Sequence, residues 1–200
     1  MGKIFYIMGK SSSGKDSFFK ELKSRMPELR GIVLYTTRPI REGEKDGVEY
    51  YFVEEARLRE LEQAGRVIEQ RAYDTKCGVW HYFTADDGQV DLEKESYLVI
   101  GTLESFQAMK MYYGEELVVP LYVEVEDGLR LSRALARERQ EKEPKYAEMC
   151  RRFLADTEDF SEENLKHAGV KKRFQNVDFE TCVEEIQDWI QRNMVPEIWC

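Results

Sequence analysis

Lys3-Ile-Phe-Tyr-Ile-Met8, followed by Gly9-Lys-Ser-Ser-Ser-Gly14-Lys15-Asp16, is the stretch on which the fold turns. Lys3 to Met8 is a short apolar run without polar alternation, the pattern of a strand covered on both faces. From Asp16 to Met26 apolar residues recur at Phe18, Phe19, Leu22 and Met26, the spacing of a helix, which Pro27 ends. The turn between them fills the first seven positions of the pattern G-x-x-x-x-G-K-[ST] and carries Asp16 at the eighth. A glycine-rich turn from a buried strand into a helix brings successive backbone N–H groups and the helix's positive end to one point. Glycine there lets the backbone approach an anion with no side chain in the way. Gly9, Lys10, Ser11, Ser12, Ser13 and Gly14 are thus the expected phosphate cradle, and Lys15 a mobile point charge for the terminal phosphates. A Ser or Thr hydroxyl at the eighth position normally ligates the magnesium of a bound nucleotide. Asp16 offers a hard carboxylate oxygen in its place, with Ser17 as a second candidate.

Working outward, Gly31–Tyr35, Tyr97–Ile100 and Leu117–Val125 read as further buried strands separated by helices. Between Thr36 and about Thr84 the texture changes to charged turns, an aromatic cluster and a short helix from Glu54 to Ala64, which reads as an inserted lobe. After Asp127 come an Arg-rich helix, a Glu/Lys/Pro stretch at Gln140–Pro144, a long helix through about Leu165, an edge strand at Arg173–Asn176 and a last helix from Glu180 to Arg192. Strands alternating with helices predict an α/β fold with a parallel sheet covered on both faces, and ligand chemistry beyond the strands' carboxyl ends.

The chain has 200 residues, 42% of them hydrophobic, with 30 Lys and Arg against 39 Asp and Glu for a net charge of −9. That composition predicts one soluble domain, and the acidic balance argues against a coat for nucleic acid or anionic membrane. No segment reads as a membrane span or a signal peptide, so a cytoplasmic location is expected. Cys77, Cys150, Cys182 and Cys200 lie far apart and, with two histidines, fit neither a zinc site nor a disulfide framework. The cations are gathered. Residues 10–45 hold nine Lys and Arg against five acids, and residues 128–152 eight against four.

The first of these stretches ends in Thr36-Thr-Arg38-Pro-Ile-Arg41-Glu-Gly43-Glu44, with Tyr50 nine residues after Arg41. Two guanidinium forks on a turn pre-set by Pro39, with a phenol in reach, suit a phosphate monoester. Together with the phosphate loop, this segment resembles the guanylate kinase family, in which T-T-R-x-x-R-x-G-E-x-x-G-x-x-Y-x-F follows the loop at about the same interval.

The resemblance implies a P-loop three-layer sandwich with a mostly parallel central sheet. It implies a core at 1–35 and 85–200, an acceptor-binding lobe at 36–84 and a helical lid at about 137–151. It implies phosphoryl transfer from ATP, with Mg²⁺, to GMP or dGMP, with small nucleotides rather than nucleic acid or membrane as partners. Arg38, Arg41 and Tyr50 then hold the acceptor phosphate, Glu44 belongs to the same acceptor-binding set, and Glu69 reads the base. A carboxylate only accepts, and guanine offers two adjacent donors. Arg133, Arg137 and Arg152 fall at the lid arginines, and Asn176 near the donor base.

Two departures stand out. The family's Tyr-Gly-Ser/Thr is best matched by Cys77-Gly78-Val79, with Tyr73, Trp80 and Tyr82 nearby as substitutes. Its Asp-x-Asp after the third core strand is replaced here by a segment ending in Gly101-Thr102, where Thr102 offers only a hydroxyl. They give weight to a second reading, a kinase of the same fold for another phosphorylated acceptor, such as a ribose bisphosphate; a third, from the resemblance to the family's scaffold-protein members, is an inactive module that binds a phosphorylated peptide.

Overall fold

Every residue of the first strand, β1 (Ile4–Met8), is fully buried, which an apolar run without alternation requires. The computed structural model describes residues 1–75 and 78–194. The elements after β1 run α1 (Lys15–Arg25), β2 (Leu29–Gly31), β3 (Tyr35–Thr36), β4 (Tyr51–Phe52), α2 (Glu55–Gln63), β5 (Val67–Thr75), β6 (Gly78–Ala85), β7 (Ser96–Ile100) and α3 (Leu103–Tyr113). They continue with β8 (Val118–Glu124), α4 (Asp127–Glu138), α5 (Tyr146–Asp159), α6 (Glu162–His167), β9 (Arg173–Gln175) and α7 (Phe179–Met194).

β1 is the middle strand of a five-stranded parallel sheet in the order β2-β7-β1-β8-β9. The two-residue period of the strand divides the core. Ile4, Tyr6 and Met8 pack with Phe106 and Met109 of α3 and Leu165 of α6 on one face. Phe5 and Ile7 pack with Phe18 and Leu22 of α1 and Val183, Ile186 and Ile190 of α7 on the other. Each such side chain contributes about 1.5–3 kcal/mol by leaving water. The result is a helix–sheet–helix sandwich. Among the described residues, no helix is long and apolar enough to cross a membrane.

The second sheet, β4-β3-β6-β5, is smaller and mixed, and has a core of its own around Tyr35, Leu58, Leu61 and Phe83.

The expected strand at Gly31–Tyr35 is two strands. Leu29–Gly31 pairs with β7 and Tyr35–Thr36 with β4 and β6. Ile32 to Leu34 carry the chain from one sheet to the other, so no single ladder serves all five residues. The long helix expected through Leu165 is likewise two. Phe160 is buried against Tyr122 with ring centroids 5.6 Å apart, and Ser161 Oγ accepts the Asn164 N–H at 3.4 Å to cap α6. An anchored aromatic followed by an N-cap serine ends one helix and begins the next.

Candidate active site

The loop between β1 and α1 sits at the carboxyl edge of the sheet, and the backbone there allows little else. A Cβ on Gly9 would lie 2.5 Å from the Val123 carbonyl of β8. Gly14 has φ +93°, and a Cβ on it would meet Asn176 Nδ2 at 2.9 Å. Ser12 holds φ +65°, a left-handed conformation that costs a residue with a side chain roughly 1 kcal/mol or more. Gly14 has no side chain to cap α1, which leaves first-turn N–H groups to an outside acceptor. Ser12 Oγ, Ser13 Oγ and Asn176 Oδ1 are buried with no hydrogen-bond partner. Asn176, just after β9, donates from Nδ2 to the Ser13 carbonyl at 2.8 Å. Buried polar atoms are rarely left unpaired, so these three mark a place for a ligand, the serine hydroxyls able to donate to an anion and Asn176 Oδ1 able to accept from a donor group.

Lys15 begins α1 with Nζ 3.9 Å from Asp16 Oδ2, and the Asp16 side chain is 81% exposed. No group of three or more His, Cys, Asp or Glu side chains suited to a metal occurs among the described residues. A single accessible carboxylate beside a phosphate cradle fits Mg²⁺, which takes one or two carboxylates and completes its shell with phosphate oxygens and water.

The loop is tied to the helices beyond β8. The Ser11 N–H donates to Asp156 Oδ2 at 2.8 Å, and Arg130, 1% exposed, donates to the same oxygen at 3.2 Å and to Asp127 at 3.1 Å. The Arg130 guanidinium lies 4.0 Å from the centre of the Phe153 ring. Of the expected lid arginines, Arg133 reaches the Asn176 carbonyl at 3.5 Å. Arg137 is exposed, and Arg152 is exposed with Nε 3.5 Å from Glu148. Neither Arg137 nor Arg152 hydrogen-bonds the loop among the described residues. Glu138 accepts the Lys145 N–H at the start of α5.

Arg38 is buried in a bidentate pair with Glu44, Nη1 to Oε2 at 2.7 Å and Nη2 to Oε1 at 2.6 Å. The Arg38 hydrogen bonds hold the Glu44 carboxyl down at about 2. Arg38 lies over the rings of Tyr50 and Phe52, at 5.3 and 5.1 Å, and its Nε is a buried donor without a partner. Glu44 Oε2 also accepts the Arg41 N–H, while the Arg41 side chain is exposed. Tyr50 is half-buried, with a pKa raised first by burial. Of the three expected substitute aromatics, Tyr82 joins the cluster, its ring centroid 5.6 Å from that of Tyr50.

Glu69 lies on β5 opposite Thr84, whose hydroxyl donates to Oε1 at 2.7 Å. Arg71, two residues on and so on the same face of the strand, donates to Glu69 from Nε at 2.9 Å and Nη2 at 3.3 Å, and from Nη1 to Thr102 Oγ1 at 3.3 Å.

A family model described as guanylate kinase matches residues 1–193. The chain belongs to the guanylate kinase family. Curated relatives include guanylate kinases of Thermobifida fusca, 43% identical over 67 residues, and Nitrosococcus oceani, 40% identical over 68, each match covering 34% of both chains. The chain thus matches these relatives over about a third of their length. A crystal structure of guanylate kinase from Anaplasma phagocytophilum superposes with a TM-score of 0.62 at 20% identity, covering 98% of this chain and 88% of that one. That likeness carries the fold.

Against the family pattern, the Thr102 hydroxyl is engaged with Ser105, to which it is bound in a capping box at the start of α3, and with Arg71. Cys77 lies outside the described residues. Arg71, Arg130 and Asp156 were not legible as site residues. For the two arginines a signal existed: Arg71 stands two places from Glu69 on a strand, and Arg130 three places before Arg133 on a helix.

Proposed function

We propose that this protein transfers the terminal phosphoryl group of ATP, with Mg²⁺, to GMP or dGMP. One observation carries the reading: the buried polar atoms without partners at Ser12, Ser13 and Asn176 lie at the cradle, and another, Arg38 Nε, lies at the acceptor cluster. A cradle at the carboxyl edge of the parallel sheet and an arginine cluster beside the second sheet suit a donor and an acceptor phosphate, and in-line transfer between them asks for positioning and charge neutralisation and little proton chemistry.

In this reading the loop N–H groups and Lys15 hold the donor's terminal phosphates, and Asn176 lies at the donor base. Arg38, Arg41 and Tyr50 hold the acceptor phosphate, and Glu44 holds the Arg38 fork in place. Glu69 and Thr102 face the acceptor base. Asp16 holds the Mg²⁺, which when bound neutralises phosphate oxygens. Arg133, Arg137 and Arg152 close over the donor as a lid at about 137–151 and exclude water. The core at 1–35 and 85–200 carries the donor site and the lobe at 36–84 the acceptor site. A cytoplasmic location and small-nucleotide partners follow from that chemistry.

A kinase of the same fold for another phosphorylated acceptor, such as a ribose bisphosphate, is the second reading, favoured by Val79 and by Gly101-Thr102 where the family carries its acidic pair.

Release of ADP from ATP and Mg²⁺, measured with GMP, dGMP, AMP, UMP and a ribose bisphosphate in turn, decides between these. Release with GMP supports the first reading, release with the sugar phosphate alone supports the second, and GMP binding without turnover leaves a binding module. Lys15→Ala should abolish turnover and keep acceptor binding.

A further inference from the structure

Glu69 is assigned to reading guanine because a carboxylate can accept two adjacent donors, the ring N1–H and the 2-amino group. An ionised carboxylate has about four acceptor sites. Three are already taken: Thr84 Oγ1 and Arg71 Nη2 donate to Oε1, and Arg71 Nε donates to Oε2. The arrangement is firmly held, since the Glu69 and Arg71 side chains are 5% and 11% exposed. A buried pair of this kind is costly to break, because separating it leaves a charge uncompensated. The second oxygen that could serve an amine, Thr102 Oγ1, accepts from Arg71 and from the Ser105 N–H. What the pocket retains is one acceptor site on Glu69 next to the unused N–H groups of a guanidinium, which has five in all.

We propose that the acceptor pocket reads the ring N–H and carbonyl shared by all 6-oxopurines and ignores the 2-amino group, so that IMP is an acceptor alongside GMP, with Arg71 as the specificity-determining residue. The proposal rests on the phosphoryl-transfer reading above, which seats the base with its N1–H on Glu69. In that seating N1–H meets the remaining acceptor site. Arg71 adds N–H donors beside it, which suit a carbonyl oxygen and give nothing to an amine. Hypoxanthine lacks only the amine, so removing it leaves no group of the pocket unpaired. A pocket that pairs a substrate group rejects an analogue lacking it by about 10⁴-fold, because its own buried groups are then orphaned, and that penalty is missing here. Adenine, with an acceptor at N1, would set its lone pair against the Glu69 carboxylate. A second phosphate would meet the Glu69 charge as well as Arg71, so the neutral pair favours a base edge over a bisphosphate.

The test is kcat/KM for GMP, IMP and AMP at saturating ATP and Mg²⁺, on the wild-type protein and on Arg71→Met, which keeps the aliphatic stem. The expected wild-type result is IMP within about tenfold of GMP and AMP at least about a hundredfold below both. In Arg71→Met, Glu69 regains acceptor sites, and the GMP to IMP ratio should rise by about tenfold or more. GMP turnover with IMP about a hundredfold or more slower would overturn the inference and leave the phosphoryl-transfer reading standing. So would AMP turnover equal to that of IMP. Silence with all three overturns the phosphoryl-transfer reading, and the inference with it. If Arg71→Met does not fold, the wild-type ratio decides alone.

Discussion

Gly101 is the residue that the Tyr6 hydroxyl demands. A Cβ at Gly101 would lie 2.1 Å from Tyr6 Oη, which is itself bound to Ser105 Oγ at 2.6 Å. Tyr6 stands in the central strand and Gly101 follows β7, so a core residue dictates the composition of the segment in which the family carries its acidic pair. Gly101→Ala should therefore destabilise the fold by about 1–3 kcal/mol, the usual range for overpacking a filled core. Tyr6→Phe should relieve only part of this, because the ring carbon Cζ remains 2.9 Å from the new methyl. Chemical denaturation of the two single variants and the double variant reads it directly. A neutral Gly101→Ala would show that the strand end shifts freely.

Asp16 separates metal binding from stability. Its carboxylate is largely exposed and 3.9 Å from Lys15, a pair worth little to the fold. Asp16→Ala should leave the unfolding midpoint unchanged and raise the Mg²⁺ concentration for half-maximal turnover on the order of tenfold, the effect of losing one hard ligand. A metal titration superimposable on wild type would remove Asp16 from the metal site.

The parts of this molecule that were legible in the sequence are those where one local rule acts alone. An apolar run without alternation gave β1, and a glycine-rich turn after it gave the loop. The hairpin of β5 and β6 was illegible for the opposite reason. Val67-Ile-Glu69-Gln-Arg71 mixes charge into a strand because that strand lines a polar site, so its pattern looks like surface. The junction at Ile32–Leu34 was missed because continuous apolar composition does not say which of two sheets a residue joins. The Arg130–Asp156 contact spans 26 residues between two helices and has no local signature beyond spacing on one helix face.

The Arg38–Glu44 pair predicts an acid limb. With Glu44 held at about 2 against an ordinary 4.5, the folded state binds its proton less readily than the unfolded chain does. The pair's stabilisation is then full above about pH 4.5 and is lost as pH falls toward 2. Glu44→Gln, which leaves Arg38 buried beside a neutral amide, should be less stable than wild type at pH 7, with the difference shrinking over that window. Urea unfolding of both proteins across pH 2–7 measures it, and a constant difference would place the stabilisation elsewhere.

Arg130 ties the phosphate loop to α4 and α5, between which the proposed lid lies. It shares Asp156 Oδ2 with the Ser11 N–H, so the loop, α4 and α5 meet at one carboxylate oxygen. Removing the guanidinium leaves Asp156 with one hydrogen bond fewer and strips the Phe153 ring of its cation, a loss of about 3–5 kcal/mol for a buried pair broken from one side. Asp156→Asn keeps an oxygen for Ser11 and should cost less. The two changes should be strongly non-additive, with a coupling of about 1–3 kcal/mol in a double-mutant cycle, because each removes one charge of the same ion pair. If the lid depends on this joint, Arg130→Met should also raise the KM for ATP more than that for GMP, since the contact lies on the donor side of the site. Additive stabilities and equal changes in the two KM values would make Arg130 a core filler with no part in positioning the loop.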